Sequence, residues 1–404
     1  MFDFRSWWRG KGSEYCTRDF PEVWTAFVDS FVDSILARGP AARPHFKVPP
    51  HPTFLPAAAR IVAIGDLHGD LHKARRAFRV GGLIDQQDHW IGGSTTAVQV
   101  GDQLDRGDHE LEILYFLERL QREAARAGGA LHILNGNHET MNVAGRFRYA
   151  TLPGIADFYR WEVVQSIGAG LKARCGCAPD GPLRPTPVGG GGAALEDAAE
   201  RSRQHALAPG GAVTRRFLAP HPVALQVGST VFVHGGILPE HAEYGLERLN
   251  ADCRAWMEGV PDAQMPVFLG GRRAVVWARD YSNEDERQCD CSALAEALGM
   301  LPGAQRMVVG HTIQDAGINS ACGGRVLRID VGLSAGCGDG DPQVLEILND
   351  SEVRRLHEGQ PPAPLPSGLQ ESPPPEPVPR VPFWQWAAKQ RQDAPPPPVL
   401  QEVR

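Results

Sequence analysis

Five short apolar segments of the chain each end in a turn that joins glycine to aspartate, asparagine or histidine. The turns lie at 65–69, 101–107, 136–139, 234–236 and 310–312. A short apolar run that stops at a glycine turn is typical of a buried strand and its carboxyl end. In open α/β sheets, ligands bind beyond such strand ends. The pattern therefore predicts an α/β fold in which five polar turns meet on one sheet edge and form one site.

The turn at 101–107 carries the most chemistry, because Asp102, Asp105 and Arg106 stand between glycines at both ends. Glycine allows a tight backbone to bring polar side chains to a shared point. Two carboxylates beside a guanidinium group indicate bound metal ions and a phosphate group.

Length and charge limit the possible classes of protein. The 404 residues are enough for one large domain with appendages, or for two domains. The net charge of −7 argues against a general nucleic-acid binder, which needs a basic face. No apolar run reaches the roughly 20 residues of a transmembrane helix, and the N-terminus resembles neither a secretory nor a typical transit peptide. We therefore expect a cytoplasmic protein that binds neither nucleic acid nor membranes.

Residues 1–59 are predicted to be an N-terminal extension with one amphipathic helix, ended by Gly39-Pro40. Its apolar side chains recur at helical spacing, at Val23, Trp24, Phe27, Val28, Phe31, Val32 and Ile35. Aspartates and serines fall between them, so the polar face is acidic, whereas a membrane-surface helix would be basic there. We expect this helix to dock on the domain that follows.

That domain is predicted to span residues 60–357, with helices at 70–80, 109–127 and 152–171. The apolar segments 326–329 and 344–347 are expected to be strands of a second sheet, because no long helix separates them.

Two segments are expected to lack fixed structure. A flexible loop is predicted over about 178–212, because four consecutive glycines at 189–192 have proline and alanine around them. The end of the chain, 358–404, is dense in proline and is predicted to be a disordered tail.

The eight cysteines are too sparse for a disulfide scaffold. Two close pairs, Cys175/Cys177 and Cys289/Cys291, have a spacing that fits neither a zinc ribbon nor a thioredoxin-like site. We interpret them as reduced surface thiols, with regulatory or structural disulfides as the alternative.

The polar turns supply more metal ligands than one ion needs. Aspartate, histidine and asparagine together suit manganese, iron or zinc. Two ions need a bridge, and Asp102 is the candidate. We expect Asp66, His68 and Asp102 to hold one ion. We expect Asp102, Asn137, His234 and His311 to hold the other. Ion pairs about 3.5–4 Å apart recur in enzymes that hydrolyse phosphoesters.

In order along the chain, the five turns resemble the GDxHG, GDxxDRG, GNHE, HGG and GH motifs of the PPP metallophosphatases. Neighbouring stretches at 141–143, 147–149, 244–248 and 313–319 resemble the Shewanella-like protein phosphatases, and their plant type 2 branch most. The resemblance implies a calcineurin-like metallophosphoesterase fold, which is a central β-sandwich flanked by helices.

The resemblance also implies roles for individual residues. A hydroxide that bridges two metals attacks phosphorus, manganese being the first choice of metal. His138 protonates the leaving oxygen while Asp105 holds its ring, and Arg106 binds phosphate oxygens. Arg279 is the expected second phosphate-binding arginine. Glu139 and Asp315 are candidate supports of the ligands, and Asp330 and Ser334 either line the pocket or form a turn.

Two departures from the eukaryotic serine/threonine phosphatases bear on the substrate. Leu134-Asn135 precedes the GNHE motif in place of Leu-Arg, and no SAPNYC-like segment exists. The type 2 branch is similar to tyrosine-directed phosphatases, so we expect a phosphoprotein substrate with preference for phosphotyrosine. A serine/threonine phosphatase, a dinucleoside polyphosphate hydrolase and an inactive scaffold are the alternatives.

The resemblance offers one alternative for location and partners. In the type 2 branch, cysteines near Cys289, Cys291 and Cys337 are associated with oxidation in the mitochondrial intermembrane space. That location, with a redox partner acting on these cysteines, is therefore the alternative to the cytoplasm.

Overall fold

The structure is a computed structural model that describes residues 20–37, 52–173 and 192–365. Its helices are α1 (Phe20–Leu36), α2 (Leu71–Val80), α3 (Glu110–Arg126), α4 (Asn137–Val143), α5 (Leu152–Ala173), α6 (Gly192–Leu207), α7 (Pro239–Tyr244), α8 (Leu246–Met257) and α9 (Cys291–Met300). Its strands are β1 (Phe54–Leu55), β2 (Arg60–Ile64), β3 (Thr96–Gln99), β4 (Ala130–Ile133), β5 (Ala224–Val227), β6 (Thr230–Val233), β7 (Arg306–Val309), β8 (Asn319–Ala321), β9 (Val326–Arg328), β10 (Gln343–Leu348), β11 (Glu352–His357) and β12 (Ala363–Pro364).

The strands form two mixed six-stranded sheets. The first sheet has the order β1-β5-β6-β7-β9-β8, and the second has the order β12-β11-β10-β2-β3-β4. The parallel neighbours β2, β3 and β4 are joined through α2 and α3, as parallel strands require a crossover connection. The α/β class and the sandwich flanked by helices are therefore confirmed.

Alternating side chains build three layers of core around the two sheets. On β2, Ile61 and Ala63 face the first sheet and join the cluster between the sheets, where Phe232 of β6 also lies. Val62 and Ile64 point the other way, into the cluster under α2 and α3. A third cluster lies between the outer face of the first sheet, the remaining helices and a second side of α3. The apolar runs are thus buried on both faces.

The expectation that all five turns share one sheet edge is wrong. The turns at 65–69, 101–107 and 136–139 follow strands of the second sheet, whereas those at 234–236 and 310–312 follow strands of the first. Each sheet contributes the carboxyl ends of adjacent parallel strands, and the sandwich brings the two groups together. The strands predicted at 326–329 and 344–347 likewise belong to different sheets, as β9 and β10.

The predicted amphipathic helix exists as α1, and its face toward the core is narrower than expected. Val28, Val32 and Leu36 are buried in the third cluster. Phe27 and Phe31, which the helical spacing places on the same stripe, are 61% and 49% exposed. The docking is confirmed, because Asp33 is buried on this face and pairs with Arg216. The expected helix end at residues 39 and 40 lies outside the described residues.

The flexible loop predicted over about 178–212 is wrong for its second half, which forms α6. Residues 174–191 lie outside the described part of the chain. From 193 to 207 the sequence is rich in alanine, glutamate and arginine, which favour helix. Ala198, Ala199 and Leu207 are buried on its inner face. The prediction extended the loop beyond the four glycines that end at 192, and it therefore missed this helix.

The second sheet continues past the predicted domain end at 357. β12 pairs with Arg354 and Arg355 of β11, and its Pro364 is tolerated because the strand lies at a sheet edge. Residues 366–404 of the predicted tail lie outside the described residues. Within those residues, no helix has the length and apolar character needed to cross a membrane.

The interpretation of the cysteines as reduced surface thiols is wrong in two respects. Cys291 forms a disulfide with Cys322, which is 31 residues away. Cys253 and Cys289 are buried thiols, and Cys337 is a partly buried one. Cys175 and Cys177 lie outside the described part of the chain.

Candidate metal centre

The turn at 101–107 has a strained backbone, and two of its side chains, Asp102 and Arg106, line a pocket. Asp102, Asp105 and Arg106 have φ angles of 55°, 67° and 64°, in the left-handed region that residues other than glycine seldom adopt. The turn packs closely on its neighbour at 65–69, because a Cβ on Gly107 would lie only 2.4 Å from the carbonyl oxygen of His68. Glycine is therefore required at this contact.

Asp102 lies at the centre of the candidate site. Its Oδ2 is 3.6 Å from Nε2 of His68, 3.1 Å from Nε2 of His234 and 3.9 Å from Nε2 of His138. Its Oδ1 accepts a hydrogen bond from the backbone N–H of His138 at 2.9 Å. One carboxylate oxygen is thus directed at three imidazoles, as a bridging ligand would be.

The other predicted ligands surround this carboxylate. Asp66 Oδ2 lies 4.0 Å from Nε2 of His68, and its Oδ1 lies 3.9 Å from Nδ1 of His234. The Oδ1 atom of Asn137 lies 2.8 Å from Nε2 of His234. The ring of His311 lies 5.1 Å from the ring of His234, centroid to centroid. The six predicted ligands therefore form one cluster, in which five side chains line a pocket and His234 is fully buried against Asp102.

Backbone carbonyls orient two of the imidazoles. The Nδ1 atom of His68 lies 3.1 Å from the carbonyl oxygen of Leu104. The Nδ1 atom of His234 lies 3.1 Å from the carbonyl oxygen of Val100. When Nδ1 donates to a carbonyl, Nε2 is free to bind a metal ion, which is the usual arrangement at metal sites.

The donor set fits divalent metal ions. Two groups in the described residues have ligand atoms within 4.8 Å of one another, His68/Asp102/His138 and Asp102/His234/His311, and both contain Asp102. The Nε2 atom of His311 is buried and has no hydrogen-bond partner within residues 20–37, 52–173 and 192–365. A buried imidazole nitrogen without a partner is costly unless it binds something.

The two histidines on either side of Asp102, His234 and His68, differ in pKa. Burial disfavours a charge on His234, but the Asp102 and Asp66 carboxylates outweigh burial and raise its pKa to about 10. At His68 burial prevails and lowers the pKa to about 4. Burial also raises the pKa of Asp66, with the nearby Asp330 carboxylate acting in the same direction.

His138 and Asp105 form the predicted pair. The Nδ1 atom of His138 lies 2.6 Å from Oδ2 of Asp105, and both side chains are buried. Burial opposes a charge on His138, but Asp102 and the hydrogen bond to Asp105 outweigh it and raise its pKa. A raised pKa favours the imidazolium form, which is the form that can donate a proton.

The two predicted phosphate-binding arginines line the pocket, which has a volume of about 570 Å³. The guanidinium of Arg106 lies over the ring of Tyr149 at 4.8 Å, and its buried Nε finds no partner among the described residues. Arg279 is exposed, and its Nη1 donates to Oγ1 of Thr312 at 2.9 Å. Trp277 also lines the pocket.

Of the candidate supports, Glu139 has the clearest structural role. Its Oε1 accepts from the N–H groups of Gln103 and Leu104, and its Oε2 accepts from those of Asp102 and Gly136. These distances lie between 2.7 and 3.1 Å. One buried carboxylate therefore holds two of the turns together.

The remaining candidates have different positions. Asp330 lines the pocket beside Asp66. The hydroxyl of Ser334 donates to the carbonyl oxygen of His68. Asp315 is exposed and does not line the pocket, so the structure does not place it behind the ligands.

Glu139 belongs to a buried layer behind the pocket together with Glu110, Asn142 and Arg203, and sequence reasoning missed these last three. Arg203 is fully buried and bonds to Asp105, Glu110 and Asn142. It belongs to α6, far along the chain from the turns, and no local motif marks it. The acidic residue that opens α3 was a weak signal for Glu110.

Comparison with known proteins agrees with this geometry. The sequence model of the calcineurin-like phosphoesterases matches residues 59–314, so fold and site define a phosphoesterase of that class. The chain is 47% identical over 347 residues to Shewanella-like protein phosphatase 2 of Arabidopsis thaliana, covering 83% of this chain and 88% of that protein. The chain belongs to the Shewanella-like protein phosphatases, a family of metallophosphatases.

Two more distant relatives complete the comparison. Shewanella-like protein phosphatase 1 of Plasmodium berghei is 28% identical over 294 residues, covering 70% of this chain and 69% of that protein. The crystal structure of a cold-active protein-tyrosine phosphatase from a psychrophilic Shewanella species aligns with a TM-score of 0.56 and 21% identity. That alignment covers 80% of this chain and 88% of that one, and it supports the fold alone.

Proposed function

We propose that the protein hydrolyses phosphomonoesters of phosphoproteins at a dinuclear metal centre and prefers phosphotyrosine. The gathering of five other predicted ligands around the Asp102 carboxylate, beside the His138–Asp105 pair, carries the proposal. Neither part alone would suffice. The ligands alone describe a metal site, and the pair alone describes a histidine held by a carboxylate.

Two divalent ions, manganese first with iron or zinc as alternatives, fit the ligands as predicted. Asp66, His68 and Asp102 would hold one ion. Asp102, Asn137, His234 and His311 would hold the other. When bound, such ions supply an activated water and neutralise charge on the phosphoryl group.

The protein's own residues bind the phosphate and move the proton. Arg106 and Arg279 present planar guanidinium groups to the phosphoryl oxygens. His138 donates the proton on Nε2 to the leaving oxygen, while Asp105 accepts from Nδ1 and fixes the orientation of the ring. Such a proton donor contributes about 10²–10⁴-fold to the rate.

The aromatic lining supports the preference for phosphotyrosine. Tyr149 and Trp277 line the same pocket as the metal ligands. A phenyl ring gains contact area against aromatic side chains that the short stem of phosphothreonine does not.

The test compares manganese-loaded protein on one peptide that carries either phosphotyrosine or phosphothreonine, with a diadenosine polyphosphate as a third substrate. We expect kcat/KM to favour phosphotyrosine by about tenfold or more. Trp277→Leu should lower that ratio, whereas Trp90→Leu, a change in the cluster under α2 and α3, should leave it unchanged. Preference for phosphothreonine or for the dinucleotide would contradict the substrate assignment. Absence of any monoesterase activity with any of the three metals would favour the inactive scaffold.

A further inference from the structure

We propose that Arg203 is a positioning residue for leaving-group protonation and acts through Asp105. Arg203 is fully buried, and it is absent from the lining of the pocket. A buried guanidinium is unfavourable unless its charge is paired and its N–H groups are bonded. The groups that satisfy Arg203 are those that hold the His138–Asp105 pair. The inference rests on the proton-donor role given to His138 above.

The first link is the Asp105 carboxylate. Its Oδ2 lies 2.6 Å from Nδ1 of His138, and its Oδ1 accepts from Nη2 of Arg203 at 3.1 Å. With one oxygen on each partner, the carboxylate has a single orientation. Rotation of the carboxylate would break both hydrogen bonds at once.

The second link is the backbone of Asp105. Its N–H donates to Oε1 of Glu110 at 2.5 Å, and the same oxygen accepts from Nη2 of Arg203 at 2.8 Å. Asp105 has a φ of 67°, which a non-glycine residue keeps only where the surroundings enforce it. Arg203 and Glu110 together supply that constraint.

The third link returns to His138. The Oδ1 atom of Asn142 accepts from Nε and Nη2 of Arg203 at 3.1 and 2.8 Å. The Nδ2 atom of Asn142 donates to the carbonyl oxygen of His138 at 2.9 Å. Arg203, Asp105, His138 and Asn142 thus form a closed ring of hydrogen bonds.

The charges of this layer also depend on Arg203. With His138 protonated, two cations face two carboxylates, those of Asp105 and Glu110. Without Arg203, the two buried carboxylates lose their shared cation. The guanidinium carbon of Arg203 lies 4.7 Å from the centre of the Phe158 ring, so a cation–π contact also stabilises the buried charge.

The test uses aryl phosphates whose leaving groups differ in basicity. A good leaving group, as in 2,4-dinitrophenyl phosphate, departs without a proton, whereas phenyl phosphate needs one. We expect Arg203→Met to lower kcat for phenyl phosphate by about 10–100-fold and for the dinitrophenyl ester by about threefold or less. KM and the affinity for Mn²⁺, measured by calorimetry, should stay within about threefold of wild type.

A second variant separates positioning from other effects. Asp105→Asn should show the same dependence on the leaving group, and adding Arg203→Met to it should steepen that dependence no further. If Asp105→Asn slows all esters equally, the proton-donor role itself fails. If Asp105→Asn shows the dependence on the leaving group and Arg203→Met does not, the proton-donor role of His138 stands and the positioning role of Arg203 is contradicted.

Arg216 offers a matched control. It also pairs with two carboxylates, Asp33 and Glu118, and it lies over aromatic rings, but away from the pocket. Arg216→Met should lower thermal stability and leave the leaving-group dependence unchanged. If Arg203→Met does not fold, Arg203→Lys replaces it. Lysine keeps the charge without the planar guanidinium group, so we expect the dependence of kcat on the leaving group to lie between those of wild type and Arg203→Met. A dependence equal to that of wild type would overturn the inference.

Discussion

The pocket floor and the layer behind it are built in different ways. The floor consists of side chains on five short turns, each directly after a strand, and their polar ends converge on Asp102. The layer behind it consists of Glu139, Glu110, Asn142 and Arg203, which bond chiefly to the backbone and side chains of those turns. In the proposed function, the floor carries the chemistry and the layer fixes its geometry. Changes to the two regions should therefore differ in kind as well as in size.

The largest effect is expected on the floor. Asp102→Asn keeps the shape of the side chain and removes the charge that would join two cations, so kcat/KM for p-nitrophenyl phosphate should fall by about 10³-fold or more. Asp262→Asn is the control, because Asp262 is an exposed aspartate with a similar left-handed backbone. Retention of more than about a tenth of the activity in Asp102→Asn would contradict the proposed role of Asp102 as the bridging ligand.

A smaller effect is expected in the layer behind the floor. The two carboxylate oxygens of Glu139 accept hydrogen bonds from four backbone N–H groups. Glu139→Gln replaces one of these oxygens with an NH2 group, which is a donor and cannot accept from the N–H groups that face it. We expect the affinity for Mn²⁺ to fall by about 10–100-fold, with activity recovered at high metal concentration. Glu118→Gln, a buried carboxylate away from the pocket, is the control. If excess metal does not restore the activity of Glu139→Gln, the distinction between the two regions fails.

Within the floor, the two histidines beside Asp102 should differ when metal binds. The pKa of His234 is raised to about 10, so its imidazole carries a proton at neutral pH without metal, and a bound ion must displace that proton. His68, with its pKa lowered to about 4, is already neutral. Apparent Mn²⁺ affinity should rise by about tenfold per pH unit between pH 6 and 8. Calorimetry in buffers of different ionisation enthalpy measures the released proton, and binding without proton release would contradict this difference.

The smallest effect on activity is expected far from both regions. Val32→Ala in α1 removes buried methyl groups that contact Gly168 of α5. The free energy of unfolding should fall by about 1–3 kcal/mol, measured by urea denaturation. The value of kcat should not change, because α1 contributes no group to the pocket. A proportional loss of kcat in fully folded protein would show that α1 is coupled to the site.

The sequence was sufficient to indicate the residues of the floor, but of the layer behind it the sequence indicated only Glu139. Each predicted ligand stands one to four residues after an apolar strand, so the local pattern indicated Asp66, His68 and His311, which the structure places in the cluster around Asp102. Which sheet each strand joins depends on pairing over long distances in the chain, and that part of the prediction was wrong. Arg203 lies in a helix that follows four glycines. Its contacts with Asp105, Glu110 and Asn142 depend on the tertiary fold, so no local pattern could predict them. Likewise, the buried face of α1 depends on what it docks against, so periodicity alone misassigned Phe27 and Phe31.

The most direct test of the dinuclear centre is the number of metal ions bound per chain. Calorimetric titration of metal-free protein with Mn²⁺ should reach saturation at two equivalents, and elemental analysis of the dialysed product should agree. A saturation value of one equivalent, or no binding, would contradict the assignment of Asp102 as the bridge between two ions.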